Sequence, residues 1–246
     1  MRITILFMCL LCGQAFAQDD FKVIDIGAWG EVEYVVTDPK GRRAGVDPRS
    51  EVRYGEINNS YGVYSVDSED PDIPAPPSVM EFITYSPIAG TYRLTIFGVS
   101  PSKYRIAVTM AARPSLSTVL TLEGVVDSLQ SVEYSFHYDT TGRNAWFRKI
   151  IEPQSLRQDL DNCYKLDLLG GRPLYTDLKH RVKKYEQWME RKGAVKARHE
   201  LQKLKEKLDQ VHEKTKRGTR DKNHFVTDLA YRILQEDIEA LLSAKN

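Results

Sequence analysis

The residues best suited to chemistry are two His-Glu pairs, an acidic run, two adjacent arginines and three tryptophans. His199-Glu200 and His212-Glu213 each open like the helical motif in which two histidines four residues apart hold zinc. Lys203 and Lys216 stand where the second histidine belongs, and an ammonium cannot ligate the metal. Asp67, Glu69, Asp70 and Asp72 form a dense run of carboxylates, the donor type that calcium prefers. Their spacing is not that of an EF-hand loop, no glycine marks the sharp turn, and the run leads into Pro74, Pro76 and Pro77. The stretch reads as a solvated acidic linker, with a calcium site as the alternative and no other cofactor expected.

Arg42 and Arg43 carry the chemistry to grip an anion, beside a turn where surface arginines are also common. Trp29 and Trp146 offer planar faces for a sugar or a protein partner, while Trp188 borders an apolar helix stripe and reads as core. His137, His180, His199, His212 and His224 are scattered, and neither a phosphate-cradling glycine loop nor a nucleophile elbow is present. No catalytic residue is assigned. The distance between two carboxylates is a spatial quantity, so a secreted polysaccharide-acting enzyme or its accessory subunit stays open as the alternative to a non-enzymatic binding module.

These residues must be positioned by two kinds of element. Over about residues 25–140 the apolar residues alternate with period two, the pattern of strands with one buried face. Val32, Tyr34 and Val36 share one side, as do Tyr92, Leu94 and Ile96, then Tyr104, Ile106, Val108 and Met110, then Val132, Tyr134, Phe136 and Tyr138. Turn-forming phrases at 38–41, 86–90 and 100–103 separate the runs. Frequent turns between short strands predict an antiparallel β-sandwich. Asn58-Asn59-Ser60 fits a glycosylation acceptor or a turn.

After Pro153 the period becomes helical. Leu156, Leu160, Cys163 and Tyr164 predict a helix with Ser155 as N-cap, ended by Gly170-Gly171. Leu174, Leu178, Val182, Tyr185 and Met189 predict a second, ending at Gly193, and Ala197, Leu201, Leu204, Leu208 and Val211 a third, stopping before Gly218. Phe225, Val226, Leu229, Ile233, Leu234, Ile238 and Leu241 predict the fourth. Short loops make this a small antiparallel bundle of about four helices. The expected fold is therefore multidomain, mainly-β then all-α: a sandwich at 18–150 and a bundle at 151–246.

At the N-terminus, Arg2, the apolar run Ile3–Leu11 and Ala15-Phe16-Ala17 have the form of a signal peptide cleaved after Ala17. Lipid anchoring at Cys12 is the disfavoured alternative, because Leu11 stands where a small residue is expected. Cys9 and Cys12 leave with residues 1–17, so only Cys163 is retained and no internal disulfide forms. Residues 18–150 hold 13 Lys+Arg against 18 Asp+Glu, and residues 151–246 hold 21 against 16, so the two parts differ in sign. The basic run around Lys179, Arg181, Lys183 and Lys184, with Lys203, Lys205 and Lys207 beyond it, is interleaved with acids, as on a solvated helix. Nucleic acid is not an expected partner, and no later segment is apolar enough to cross a membrane.

The phrases Asp38-Pro39-Lys40-Gly41-Arg42-Arg43-Ala44-Gly45-Val46-Asp47-Pro48, Tyr61-Gly62-Val63 and Ala89-Gly90-Thr91-Tyr92-Arg93-Leu94-Thr95-Ile96 resemble a β-sandwich domain of bacterial secreted proteins. That domain is found C-terminal to von Willebrand factor A modules, and the resemblance spans about 28–112. The order of helix, Gly-Gly, Leu-Tyr helix, Arg191-Lys192-Gly193 turn and final amphipathic helix resembles the FIMAH-type helical domain over about 155–243. His212 and Glu213 replace a more apolar phrase of that family, which implies looser helix packing or a different partner. Neither resemblance carries a transferable chemistry, and with the export signal the whole reading predicts a secreted or periplasmic, non-enzymatic binding or assembly module of the cell envelope that holds an envelope or extracellular protein, or a polysaccharide.

Overall fold

The computed structural model describes residues 22–64, 79–113, 116–141, 143–218 and 223–244. The acidic run Asp67, Glu69, Asp70 and Asp72, the leader with Cys12, and residues 18–21 lie outside the described residues. Eleven strands form two antiparallel sheets, and four helices follow. The five-stranded sheet contains β1 (Val23–Trp29), β5 (Ser60–Tyr64), β6 (Val79–Tyr85), β8 (Ser102–Arg113) and β9 (Leu116–Val126), in the order β5-β6-β1-β8-β9. The six-stranded sheet contains β2 (Val32–Thr37), β3 (Arg43–Asp47), β4 (Val52–Gly55), β7 (Gly90–Gly98), β10 (Ser131–Tyr138) and β11 (Trp146–Lys149), in the order β11-β10-β7-β2-β3-β4.

The expected alternation places its apolar side chains in one core built from both sheets. Ile24, Ile26, Ile106 and Val108 from the first meet Tyr34, Leu94, Ile96 and Phe136 from the second. Tyr34 ties the sheets directly, since its hydroxyl donates to the Ile26 carbonyl at 3.0 Å. Val132, expected in this row, is only half-buried, and β1, β3, β4, β5, β6, β9 and β11 come in addition to the strands that the alternation predicts. Gly124 permits a close approach: a Cβ there would stand 2.3 Å from the Tyr104 ring, whose hydroxyl lies 2.6 Å from that of Tyr134.

The helices are α1 (Ser155–Lys165), α2 (Arg172–Glu190), α3 (Ala194–Lys216) and α4 (Asp228–Ser243). Three boundaries differ from expectation. Gln154, not Ser155, holds the N-cap position, and the Ser155 hydroxyl instead accepts the Glu152 N–H at 3.0 Å. α1 stops where Asp167 turns left-handed (φ 53°), with the Leu168 N–H donating to the Cys163 carbonyl, well before Gly170-Gly171. The two glycines serve another purpose: a Cβ on Gly170 would meet the Phe225 ring at 2.2 Å. Phe225 and Val226 are extended and bridge back to residues 168–170, because Thr227 caps α4 by accepting the Ala230 N–H.

His212 does not loosen the packing. It is buried, stacks on Tyr231 with ring centroids 3.9 Å apart, and donates from Nε2 to Asp228 at 2.7 Å. The Tyr231 hydroxyl donates to Asp209, and beside that carboxylate its pKa is pushed up to about 12. The basic run is tied down by carboxylates as expected: Lys179 pairs with Asp161, Arg181 and Lys207 with Asp177, Lys203 with Glu200 and Lys205 with Glu239. Among the described residues, no helix is long and apolar enough to cross a membrane.

Candidate functional site

Strand register builds a composite surface on the outer face of the six-stranded sheet. Directly paired residues of antiparallel strands project from the same face. His137 pairs with both Trp146 and Thr91. Their side chains form a row in which the rings of His137 and Trp146 lie 11° from parallel, with centroids 6.0 Å apart. The Arg148 guanidinium sits 4.5 Å over the Trp146 ring. Beside this row Arg148 pairs with Ser135, Ser135 with Arg93, Arg93 with Thr37, and Thr37 with Arg43. A flat aromatic rim and exposed guanidiniums thus share one sheet face, an arrangement that stacks on planar partners and donates paired hydrogen bonds to anions.

The residues proposed from sequence do not meet in one place. Trp146 and Arg43 belong to this face, and Arg43 is exposed, stacked 4.0 Å over Tyr54 and 3.6 Å from Glu56. Arg42 is committed elsewhere: its Nε and backbone N–H both donate to buried Asp38, which fixes the turn after β2. Trp29 lies on the five-stranded sheet, where a Cβ on Gly27 would come 2.8 Å from its ring and Arg105 sits 5.6 Å from its centroid. Trp29 and Trp146 therefore cannot serve one binding patch. Trp188 is half-buried beneath Lys196 rather than fully in the core. Cys163 is fully buried, and burial pushes its thiol well above the ordinary range, so it is unreactive. Among the described residues, no group of three or more His, Cys, Asp or Glu side chains is arranged to hold a metal ion.

A second constellation, absent from the sequence reading, lies where β11 meets the helices. Lys149 Nζ bonds to Asp159 of α1 and, at 2.6 Å, to Asp237 of α4. Their side chains are only 6%, 5% and 0% exposed. Burial opposes the Lys149 ammonium, but Asp159 and Asp237 outweigh it and hold its pKa above the usual value. Burial, then the charge of Asp159, push the Asp237 carboxyl well up. One ammonium is therefore shared by two buried acids from different helices. Asn162 donates to Gln130 at 2.9 Å nearby, and Arg232–Glu123 and Lys165–Asp127 add ion pairs at the rim. A polar cavity of about 160 Å³, lined in part by Glu133, Glu152 and Gln158, opens above Lys149 and Asp159. With the three side chains so enclosed, the cluster joins helices to sheet rather than presenting a reactive group. The signal for it was an acid on each apolar stripe: Asp159 beside Leu156, Leu160 and Cys163, and Asp237 beside Ile233, Leu234 and Ile238.

The raised Asp237 pKa sets a pH signature. The fold favours the protonated acid, so the contribution of this group is complete below the unfolded value near 3.8 and is lost as pH rises through the folded one. Asp127 and Asp228 are held low by their hydrogen bonds and act oppositely, losing their contribution as pH falls. Asp237→Asn removes only the first effect. Its melting temperature, compared with the parent's, is expected to become more favourable as pH rises above the unfolded value near 3.8; a constant offset contradicts the assignment.

No protein-family model matches this chain, and no curated protein or solved structure emerges as similar to it.

Proposed function

We propose that the protein is an exported, non-enzymatic binding or assembly module of the bacterial cell envelope or exterior, which holds a protein or polysaccharide partner on the outer face of its six-stranded sheet. The observation that carries this reading is the shared row of His137, Trp146 and Arg148, backed by Arg93 and Arg43. Recognition surfaces favour aromatic and arginine side chains, which combine contact area with charge. The two sheets with a common core support a β-sandwich of the type found beside von Willebrand factor A modules, and the four connected helices support a FIMAH-like bundle. The leader-like N-terminus supports secretion or a periplasmic location.

Retention of the purified protein on a panel of envelope polysaccharides and immobilised envelope proteins tests this. Trp146→Ala is expected to weaken retention at least about tenfold, the loss typical of a central interface aromatic. Trp29→Ala, on the other sheet, is expected to leave it unchanged. The opposite pattern would move the binding surface to the five-stranded sheet.

A further inference from the structure

Across β11-β10-β7-β2-β3 the register makes a single row of Arg148, Ser135, Arg93, Thr37 and Arg43. Arginines occupy every second strand, and the strands between them carry only short hydroxyl side chains. With strands about 4.8 Å apart, successive guanidinium-bearing positions stand about 9.5 Å from each other. That spacing is of the order of one disaccharide in an extended sugar chain. From this geometry we infer that the row binds a linear acidic polysaccharide, taking one carboxylate or sulfate per disaccharide on each arginine. This inference rests on the binding-face reading above and assigns the ligand class to that face.

The surroundings of the row suit that ligand. Arg148 lies 4.5 Å over the Trp146 ring and Arg43 4.0 Å over that of Tyr54, so each end guanidinium rests against an aromatic ring. The competing carboxylates leave the guanidiniums loosely engaged: Glu133 is 3.7 Å from that of Arg93, and Glu56, which accepts the Arg43 backbone N–H at 2.9 Å, is 3.6 Å from that of Arg43, with all four side chains over 40% exposed. A ligand anion that meets the planar fork with two parallel bonds displaces such pairs. A regular row also distinguishes this site from a general basic patch, because its affinity depends on the repeat of the ligand as well as on its charge.

Affinity electrophoresis and titration calorimetry with polygalacturonate, chondroitin sulfate, neutral dextran and duplex DNA test the inference. The protein is expected to bind the uronate polymer, the sulfated polymer or both; their relative strength identifies the preferred anion. Arg93→Gln and Arg148→Gln are each expected to weaken binding at least about tenfold, equivalent to about 1.4 kcal/mol. Arg105→Gln on the other sheet should have no effect. Arg93→Lys, which keeps the charge but loses the fork, is expected to fall between parent and Arg93→Gln, a readout independent of folding. Glu133→Gln frees Arg93 and is expected to tighten binding several-fold. Binding to dextran that Trp146→Ala abolishes and Arg93→Gln spares would overturn the acidic ligand while keeping the binding face. Equal affinity for DNA would overturn the matching of repeats. Capture of an envelope protein without any glycan binding would also overturn the ligand class, and loss through Trp29→Ala alone would overturn the face itself.

Discussion

Lys149→Met is expected to destabilise the protein by about 3–5 kcal/mol, the range seen when one partner of a buried charge pair is removed. The reason is geometric. Lys149 is the last residue of β11, and its ammonium is shared by Asp159 of α1 and Asp237 of α4. Methionine fills a similar volume but leaves the two buried acids without their shared cation. Domain stabilities lie at about 5–15 kcal/mol, so this one change removes a large fraction. The helices should lose their anchorage first, giving a denaturation curve that splits into two steps. Combining Lys149→Met with Asp159→Asn and Asp237→Asn replaces the charges together and is expected to recover much of the loss. Lys205→Met, which opens an exposed pair with Glu239, serves as comparison and should hardly shift the curve. If Lys149→Met proves as mild as Lys205→Met, the cluster is not what joins helices to sheet.

Phe136→Ala is expected to cost a comparable amount, about 3–5 kcal/mol, by opening a cavity in the core. Phe136 is fully buried, stacked on Tyr92 at 5.0 Å and edge-on to Phe147 at 6.2 Å. Phe147 is the inward residue of β11 between Trp146 and Arg148. Removing its neighbour should therefore loosen the strand that carries one end of the binding row. Hydrogen exchange distinguishes this from general destabilisation: β11 amides should lose protection in Phe136→Ala but keep it in Ile106→Ala, a core truncation in the other sheet. Equal loss of protection in both variants would contradict the local effect.

What was legible in the sequence follows from how each pattern reports burial. Strands such as β7, with Tyr92, Leu94 and Ile96 inward and Arg93 outward, announce themselves because one face is apolar and the other wet. β11 does not, since Trp-Phe-Arg-Lys is four residues long and its outward tryptophan breaks the alternation. The α4 start was misplaced by the apolar pair Phe225-Val226, which continues the helical stripe by composition yet is held extended by Leu168 and Gly170. Thr227 followed by Asp228 was the local signal for the true cap.

The binding face was legible only in its parts. Arg43 and Trp146 were singled out, while Arg93 read as an ordinary outward residue of its strand and Arg148 lay beyond the last alternating run. Register alone brings positions 43, 93 and 148 into one row, and register between strands distant in sequence leaves no mark on any short window. The pairing of Arg42 with Asp38 was hidden in the same way, because a turn that folds back on its own arginine looks from outside like an anion grip.

The central claim is that partners meet the outer face of the six-stranded sheet. Arginine-directed labelling with phenylglyoxal, read by mass spectrometry with and without the strongest-binding partner from the panel, tests it most directly. Arg93 and Arg148 are expected to be protected when the partner is present, while Arg105 on the other sheet labels as before. Protection of Arg105 with unchanged labelling of Arg93 and Arg148 would contradict the account.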